Sequence, residues 1–199
     1  KEQGYHRGAF LAAHVLVSQY GLDQGFDIYS NVKQTQVGMG LWMSERPAED
    51  VNDEGLAWLE SLPADEPFFL WLHYFDPHRP RTQHPDRPAS LQNVGYKDWE
   101  YDVEIWHTDR EIGRVMDKLE ALGRKDESLV ILASDHGEGL GEHGEHTHSY
   151  FAYQGVLHVP LIFTHPSLPQ GLTVERFVSN VDIMPTALEM IGAPAVEVP

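Results

Sequence analysis

Cysteine is absent from all 199 residues. Disulfides, thiolate metal sites and a cysteine nucleophile are therefore excluded within this sequence, and any metal must be held by oxygen and imidazole ligands. Long apolar runs are also missing. The longest, residues 68–72 and 129–133, fall far short of the roughly eighteen residues that span a bilayer, so no transmembrane segment is expected. Basic side chains are scarce: 14 Lys and Arg stand against 31 Asp and Glu, a formal net charge of −17. Nucleic-acid backbones are bound by dense Lys and Arg, and a polyanion is repelled at long range by such a chain, so nucleic acid is excluded as a general partner. Residues 1–7, Lys-Glu-Gln-Gly-Tyr-His-Arg, lack the apolar core of a secretion signal, and any targeting segment is expected to lie upstream or to have been removed.

What the chain does have is histidine. Seven of its twelve lie in two short stretches: His73, His78 and His84, then His136, His143, His146 and His148. With 41% hydrophobic and 23% charged residues, the composition is that of a soluble globular protein with a sizeable core. There is no internal repeat, and strands and helices alternate between short Gly and Pro punctuation, which predicts a single α/β domain over residues 1–199. Residues 67–75 are nearly continuous apolar and aromatic sequence, as expected of a strand inside a parallel sheet. Residues 128–133 and 159–164 read as further buried strands. Ile105, Ile112, Val115, Met116, Leu119 and Leu122 recur at helical spacing up to Gly123, and a short helix is expected over residues 186–191. The expected architecture is a mostly parallel central sheet with helices on both faces.

Ligands of open parallel sheets sit beyond the carboxyl ends of strands, where both Asp76/His78 and Asp135/His136 fall, so the two pairs are expected to converge. Asp135 offers a hard oxygen and His136 an imidazole nitrogen, a set suited to Ca, Mg, Mn or Zn. Gly137 permits a close turn, and Glu138 and Glu142 are candidate acceptors that hold imidazoles in place. An Asp–Gly turn with a capping histidine is the plainer alternative. His143, His146 and His148 are candidate site residues, with loop hydrogen bonding as their alternative. His73 is expected to be a core histidine, and His84, His107, His158 and His165 receive no role. Asp109 and Asp182 are read as capping or packing carboxylates. Arg79, Arg81 and Arg87 form a local basic cluster that either grips substrate anions or lines an exposed loop.

The stretch Ser134-Asp-His-Gly-Glu-Gly-Leu-Gly-Glu-His-Gly144, followed by Tyr153 and Leu157-His-Val-Pro-Leu161, resembles the sulfatase family of the alkaline phosphatase superfamily. Further pieces fall in the family's order: a Gly4-Tyr5 helix start, Gly25-Phe26-Asp27, Asp76-Pro77-His78-Arg79-Pro80, Asp109 to Gly113, and Val181-Asp182-Ile183-Met184-Pro185-Thr186. The resemblance covers nearly the whole chain. It implies hydrolysis of sulfate esters with one divalent cation, usually calcium, and a formylglycine hydrate made from a Cys or Ser. That nucleophile segment and two further metal-binding carboxylates precede Gly4 in the family, and a smaller C-terminal subdomain follows the region around Pro199. The chain is therefore expected to be the middle of a larger enzyme, holding half of an active site and inactive alone.

By position, the resemblance makes Asp135 and His136 metal ligands, His78 the acid that protonates the leaving group, and His14 the histidine of the family's Lys-x-His element. Ala12 stands where that lysine is expected, and Ser149 where a second lysine is expected. His146, His148 and Arg79 are then the candidate substrate-binding groups, with Glu138 and His143 supporting the metal site. The implied substrate is a small-molecule or carbohydrate sulfate ester, and the implied location periplasmic or extracellular. The two missing lysines keep a phosphate or phosphonate ester hydrolase or transferase open. A non-catalytic metal- or anion-binding module is the third reading.

Overall fold

The computed structural model describes residues 4–32, 36–37, 41–42, 45–82, 84–92, 95 and 97–194. The chain forms two compact units, Lys1–Gly123 and Arg124–Pro199. Its elements in order are β1 (His6–Leu11), β2 (Ile28–Ser30), β3 (Gln36–Val37), β4 (Leu41–Trp42), α1 (Ala48–Ser61), β5 (Phe68–His73), α2 (Trp99–Ala121), β6 (Val130–Ala133), α3 (Gln154–Leu157), β7 (Leu161–Thr164) and α4 (Ile183–Met190).

In the first unit β1 lies between β2 and β5, and both pairings are parallel. The register sets His6 opposite Phe68 and Leu11 opposite His73, so β1 and β5 end level with one another. Helix α1 packs on this sheet: Phe10, Ala12 and Val51 are buried together, with Trp58, Leu70, Leu72, Tyr74 and Phe75 against them. Gly55 allows the close approach. A Cβ there would lie 2.5 Å from Cδ2 of Leu72 and 3.3 Å from Cδ2 of Phe10, tighter than core packing tolerates. Arg46 ties strands to helix, donating from Nε to the Leu11 carbonyl at 3.0 Å and from Nη1 to Glu54 at 2.8 Å.

In the second unit β6 pairs with β7 antiparallel, Val130 opposite Thr164. Parallel pairing thus describes the three-stranded sheet of the first unit. Ser179 and Asp182 form a reciprocal capping box ahead of α4, the capping role expected for Asp182.

Two expectations change. Gly4 and Tyr5 do not open a helix; they lead directly into β1. The apolar stripe read along α2 does not define its buried face either. Ile105 is exposed, whereas Glu104, His107 and Glu111 are 2%, 1% and 2% exposed beside Val103 and Leu119. Spacings of three and four place these charged residues on one face, and burial is tolerated because each is partnered. Nε2 of His107 is 2.8 Å from Glu49 and Nε2 of His84 is 3.2 Å from Glu104, with the two rings stacked at 3.9 Å. Arg114 donates to Glu111 at 2.6 Å, Asn52 donates to the same carboxylate at 3.0 Å, and Tyr74 donates to Asn52 at 2.6 Å. His84 and His107 are therefore members of a buried hydrogen-bonded layer along α2.

Candidate active site

Because β1 and β5 finish side by side, the residues that follow them share the carboxyl edge of the sheet. The ladder runs one step further through Ala12 N–H to the His73 carbonyl at 3.1 Å. His14 then sits in a single 3-10 turn, His14–Leu16, its ring edge-on to Tyr20. His14 Nδ1 is buried and has no hydrogen-bond partner among the described residues. Beyond β5, Nδ1 of His78 lies 2.6 Å from the Arg79 carbonyl, and the ring rests on Phe75 at 4.1 Å. A carbonyl only accepts, so Nδ1 carries a hydrogen and Nε2 is the nitrogen that gains or loses the second proton.

Asp76 adds a carboxylate at this edge. Burial lifts its pKa above the ordinary carboxylate range, with the charge of Glu104 adding to the rise and a backbone hydrogen bond opposing it. Glu45, which carried no signal in the sequence, is brought here by an isolated bridge to Ala13 and by the Arg46 N–H bond to the Ala12 carbonyl at 3.1 Å. Burial raises its pKa as well, while His78 draws it down and Asp76 pushes it up. The structure thus gathers His14, Asp76 and His78 at one strand edge, with Glu45 in their electrostatic neighbourhood.

In the second unit, β6 delivers Ser134 to the Pro160 carbonyl at 3.3 Å, and Asn180 caps the Ser134 carbonyl at 2.9 Å. The chain then turns through Asp135-His136-Gly137. Oδ1 of Asp135 accepts the His136 backbone N–H at 2.9 Å, while Oδ2 stands 3.7 Å from Nε2 of His136. Nδ1 of His136 is 2.8 Å from the Gly137 carbonyl. That bond assigns the hydrogen to Nδ1 and leaves the Nε2 lone pair beside the carboxylate, the tautomer a metal-ligating imidazole adopts. Cis ligands of one divalent cation stand roughly 3–4 Å apart, so the pair fits two positions of such a site. Among the described residues no group of three or more His, Cys, Asp or Glu forms a complete one. Gly137 is sterically required: its N–H donates to the Val156 carbonyl at 2.7 Å, and a Cβ there would collide with the Gly155 carbonyl.

The remaining candidates divide. Glu138, its side chain 8% exposed, accepts from Nδ1 of His148 at 3.2 Å, and the His148 ring stacks on His136 at 4.1 Å. The imidazole that Glu138 engages is that of His148. Glu142 does otherwise: its carboxylate accepts the Leu140 backbone N–H at 2.8 Å, a loop bond. Backbone hydrogen bonds keep its pKa low. His143 occupies left-handed backbone at φ 60° and stacks on Tyr153 at 4.2 Å. With Tyr153, Glu142, Glu145 and Gln154 it lines a cavity of about 310 Å³. His146 packs against Gly141, where a Cβ would lie 2.6 Å from its ring. Arg79 is half-exposed and 3.4 Å from Asp98.

The second unit thus presents a carboxylate–imidazole pair on the turn after β6, and the first unit presents two histidines beyond the ends of β1 and β5. The Sulfatase family profile matches residues 1–193, and the chain belongs to that family. Among curated relatives it is 31% identical over 144 residues to the low-salt glycan biosynthesis sulfotransferase Agl7 of Haloferax volcanii, covering 64% of this chain and 34% of Agl7. It is 36% identical over 121 residues to an N-acetylglucosamine-6-O-sulfatase of Bacteroides thetaiotaomicron, covering 57% of this chain and 21% of that enzyme. The fold matches the crystal structure of Ps i-CgsB in complex with k-i-k-neocarrahexaose with a TM-score of 0.76 at 21% identity, over 98% of this chain and 52% of that one. The chain spans about a third or less of the length of these curated relatives. No helix among the described residues is long and apolar enough to cross a membrane.

Proposed function

We propose that the protein carrying this chain hydrolyses sulfate esters of carbohydrates or other small molecules, with a divalent cation held in part by Asp135 and His136. The observation that carries this reading is the 3.7 Å placement of Asp135 Oδ2 beside the Nε2 of His136 in a chain of the Sulfatase family. Calcium suits the hard carboxylate, and Mg, Mn and Zn share the ligand set. When bound, such a cation withdraws charge from a sulfate oxygen, and the family's formylglycine hydrate supplies the attacking oxygen.

The roles of this chain's own residues follow from their chemistry. As the S–O bond to the alcohol breaks, the leaving oxygen gains an electron pair and needs a proton. His78 supplies it from Nε2, since Nδ1 is engaged with the Arg79 carbonyl. His14 lies on the same sheet edge, where its imidazole positions polar groups beside His78; its buried Nδ1 has no hydrogen-bond partner among the described residues. His148, held by Glu138, and His146 take the place of the lysine absent at Ser149 as donors to anionic oxygens. His143 shapes the loop through Tyr153. Transfer to a sugar hydroxyl in place of water is the second reading, favoured by the name of the Agl7 relative. An extracytoplasmic location suits sulfated carbohydrate substrates.

The test is a product assay on the full-length protein with sulfated sugars and matched phosphate esters. Release of inorganic sulfate supports hydrolysis. A sulfated acceptor sugar without free sulfate supports transfer, and release of phosphate alone overturns both.

A further inference from the structure

Immediately after His78 the chain passes over the first turn of α2, and there two arginines share one carboxylate oxygen. Nη2 of Arg79 is 3.4 Å and Nη1 of Arg81 is 3.5 Å from Oδ1 of Asp98. Both are longer than the roughly 2.7–2.9 Å of a well-formed charge-assisted hydrogen bond. The side chain of Arg81 is 3% exposed, yet its Nε and Nη2 are buried with no hydrogen-bond partner among the described residues. Its guanidinium lies over the Tyr101 ring at 5.0 Å. The carboxylate of Glu104 is engaged by the Thr82 N–H and by His84. One carboxylate oxygen thus serves two guanidinium groups, neither of them closely, while Glu100 and Asp102 add acidic side chains to the same first turn. Buried unsatisfied donors on a charge are costly, and such exceptions concentrate where a ligand completes them.

We propose that Arg79 and Arg81 form an anion subsite beside the leaving-group acid, which takes a second anionic group of a polyanionic sugar substrate. The inference rests on the sulfate-ester reading and names its substrate class. Arg79, with 54% of its side chain exposed, is the arm that meets the ligand. It can leave Asp98 at small cost, because Arg81 remains to neutralise that carboxylate. Arg81 is the positioning residue: its buried guanidinium stays beside Asp98 when Arg79 turns to the ligand. A sulfate or a uronic carboxylate matches the planar, bidentate donor set of Arg79.

The experiment measures equilibrium binding by calorimetry to the full-length protein, with turnover read separately. The ligands are a monosulfated sugar, its disulfated counterpart, and a monosulfated disaccharide bearing a uronate. The native protein binds the dianionic ligands about tenfold or more tightly than the monoanionic one, as charge-assisted bidentate contacts allow. Arg79→Ala brings that ratio to near one, Arg79→Lys leaves it between, and Asp98→Asn, which removes the competing carboxylate, raises it. The disulfated and uronate arms separate a sulfate-selective site from a general anion site. Equal affinity for all three ligands, or an Arg79→Ala variant that keeps the native ratio, overturns the subsite. Absence of sulfate release with the binding ratio intact overturns the hydrolase reading alone. Since Arg81→Ala and Asp98→Asn both break a buried ion pair and can unfold the protein, the Arg79 variants decide the question.

Discussion

The imidazole rings of His136 and His148 stack with centroids 4.1 Å apart and planes inclined by 23°. Because Glu138 holds Nδ1 of His148 at 3.2 Å, the buried carboxylate fixes one ring and that ring fixes the face of the other. Orientation of a metal-ligating histidine is ordinarily set by such an outer partner.

Glu138→Ala should therefore weaken divalent-metal affinity of the full-length protein by about tenfold to a hundredfold, the usual cost of removing an outer support. Calorimetric titration with calcium checks it. Unchanged affinity would mean that the turn at Gly137 alone positions His136.

The acid role proposed for His78 concerns a different step. His78→Ala should slow hydrolysis of alkyl sulfates by about a hundredfold to ten-thousandfold and of activated aryl sulfates much less, because only the former need a protonated leaving group. Steady-state kinetics on both substrate kinds decides it. An equal loss on both would make His78 a binding or structural residue.

The interior makes its own prediction. Glu111 is 2% exposed and accepts from both Arg114 and Asn52, so Glu111→Ala removes two buried hydrogen bonds, while Asn52 keeps the backbone carbonyl of residue 111 and the exposed Arg114 keeps Asp53. The expected loss is about 2 kcal/mol, the sum of two hydrogen bonds to a charged acceptor after solvent screening of Arg114. Urea denaturation measures it. A loss under about 1 kcal/mol would show that solvent reaches the layer.

That layer is where the sequence pattern ceased to be readable. β5, β6 and β7 were legible because continuous apolar runs end at turn residues, and the Asp135–His136 turn because it follows one of them. β1 was not, since His6-Arg7-Gly8-Ala9 offers neither alternation nor bulk. Its strand character comes from pairing with β2 and β5 on both sides. α1 was hidden by Asn52, Asp53 and Gly55, poor helix formers that tertiary contacts override. The buried side of α2 was misread because Glu104, His107 and Glu111 look like a solvated face until their partners on distant segments are known. Glu45 was invisible for the same reason: its neighbours come from a bridge rather than a motif.

Asp76 gives a pH signature. Burial raises its pKa in the folded state, so between the ordinary carboxylate value and the raised one the folded protein holds more protons than the unfolded chain. Stability from this group then falls as pH rises through that window and stays reduced above it. Asp76→Asn should abolish that component and raise the neutral-pH stability. Melting temperatures from pH 4 to pH 7 read the slope. A variant that retains the native slope would assign it to another group.

The measurement that bears most directly on the metal-assisted mechanism is release of inorganic sulfate from a sulfated sugar by the full-length protein, with and without a chelator, for the native chain and Asp135→Asn. Release should stop on chelation and return with added calcium. Asp135→Asn, which removes a charged ligand, should lower it on the order of a hundredfold or more at a fixed metal concentration. Sulfate release that is indifferent to both the chelator and the substitution would contradict the assignment of Asp135 and His136 as the metal-holding pair.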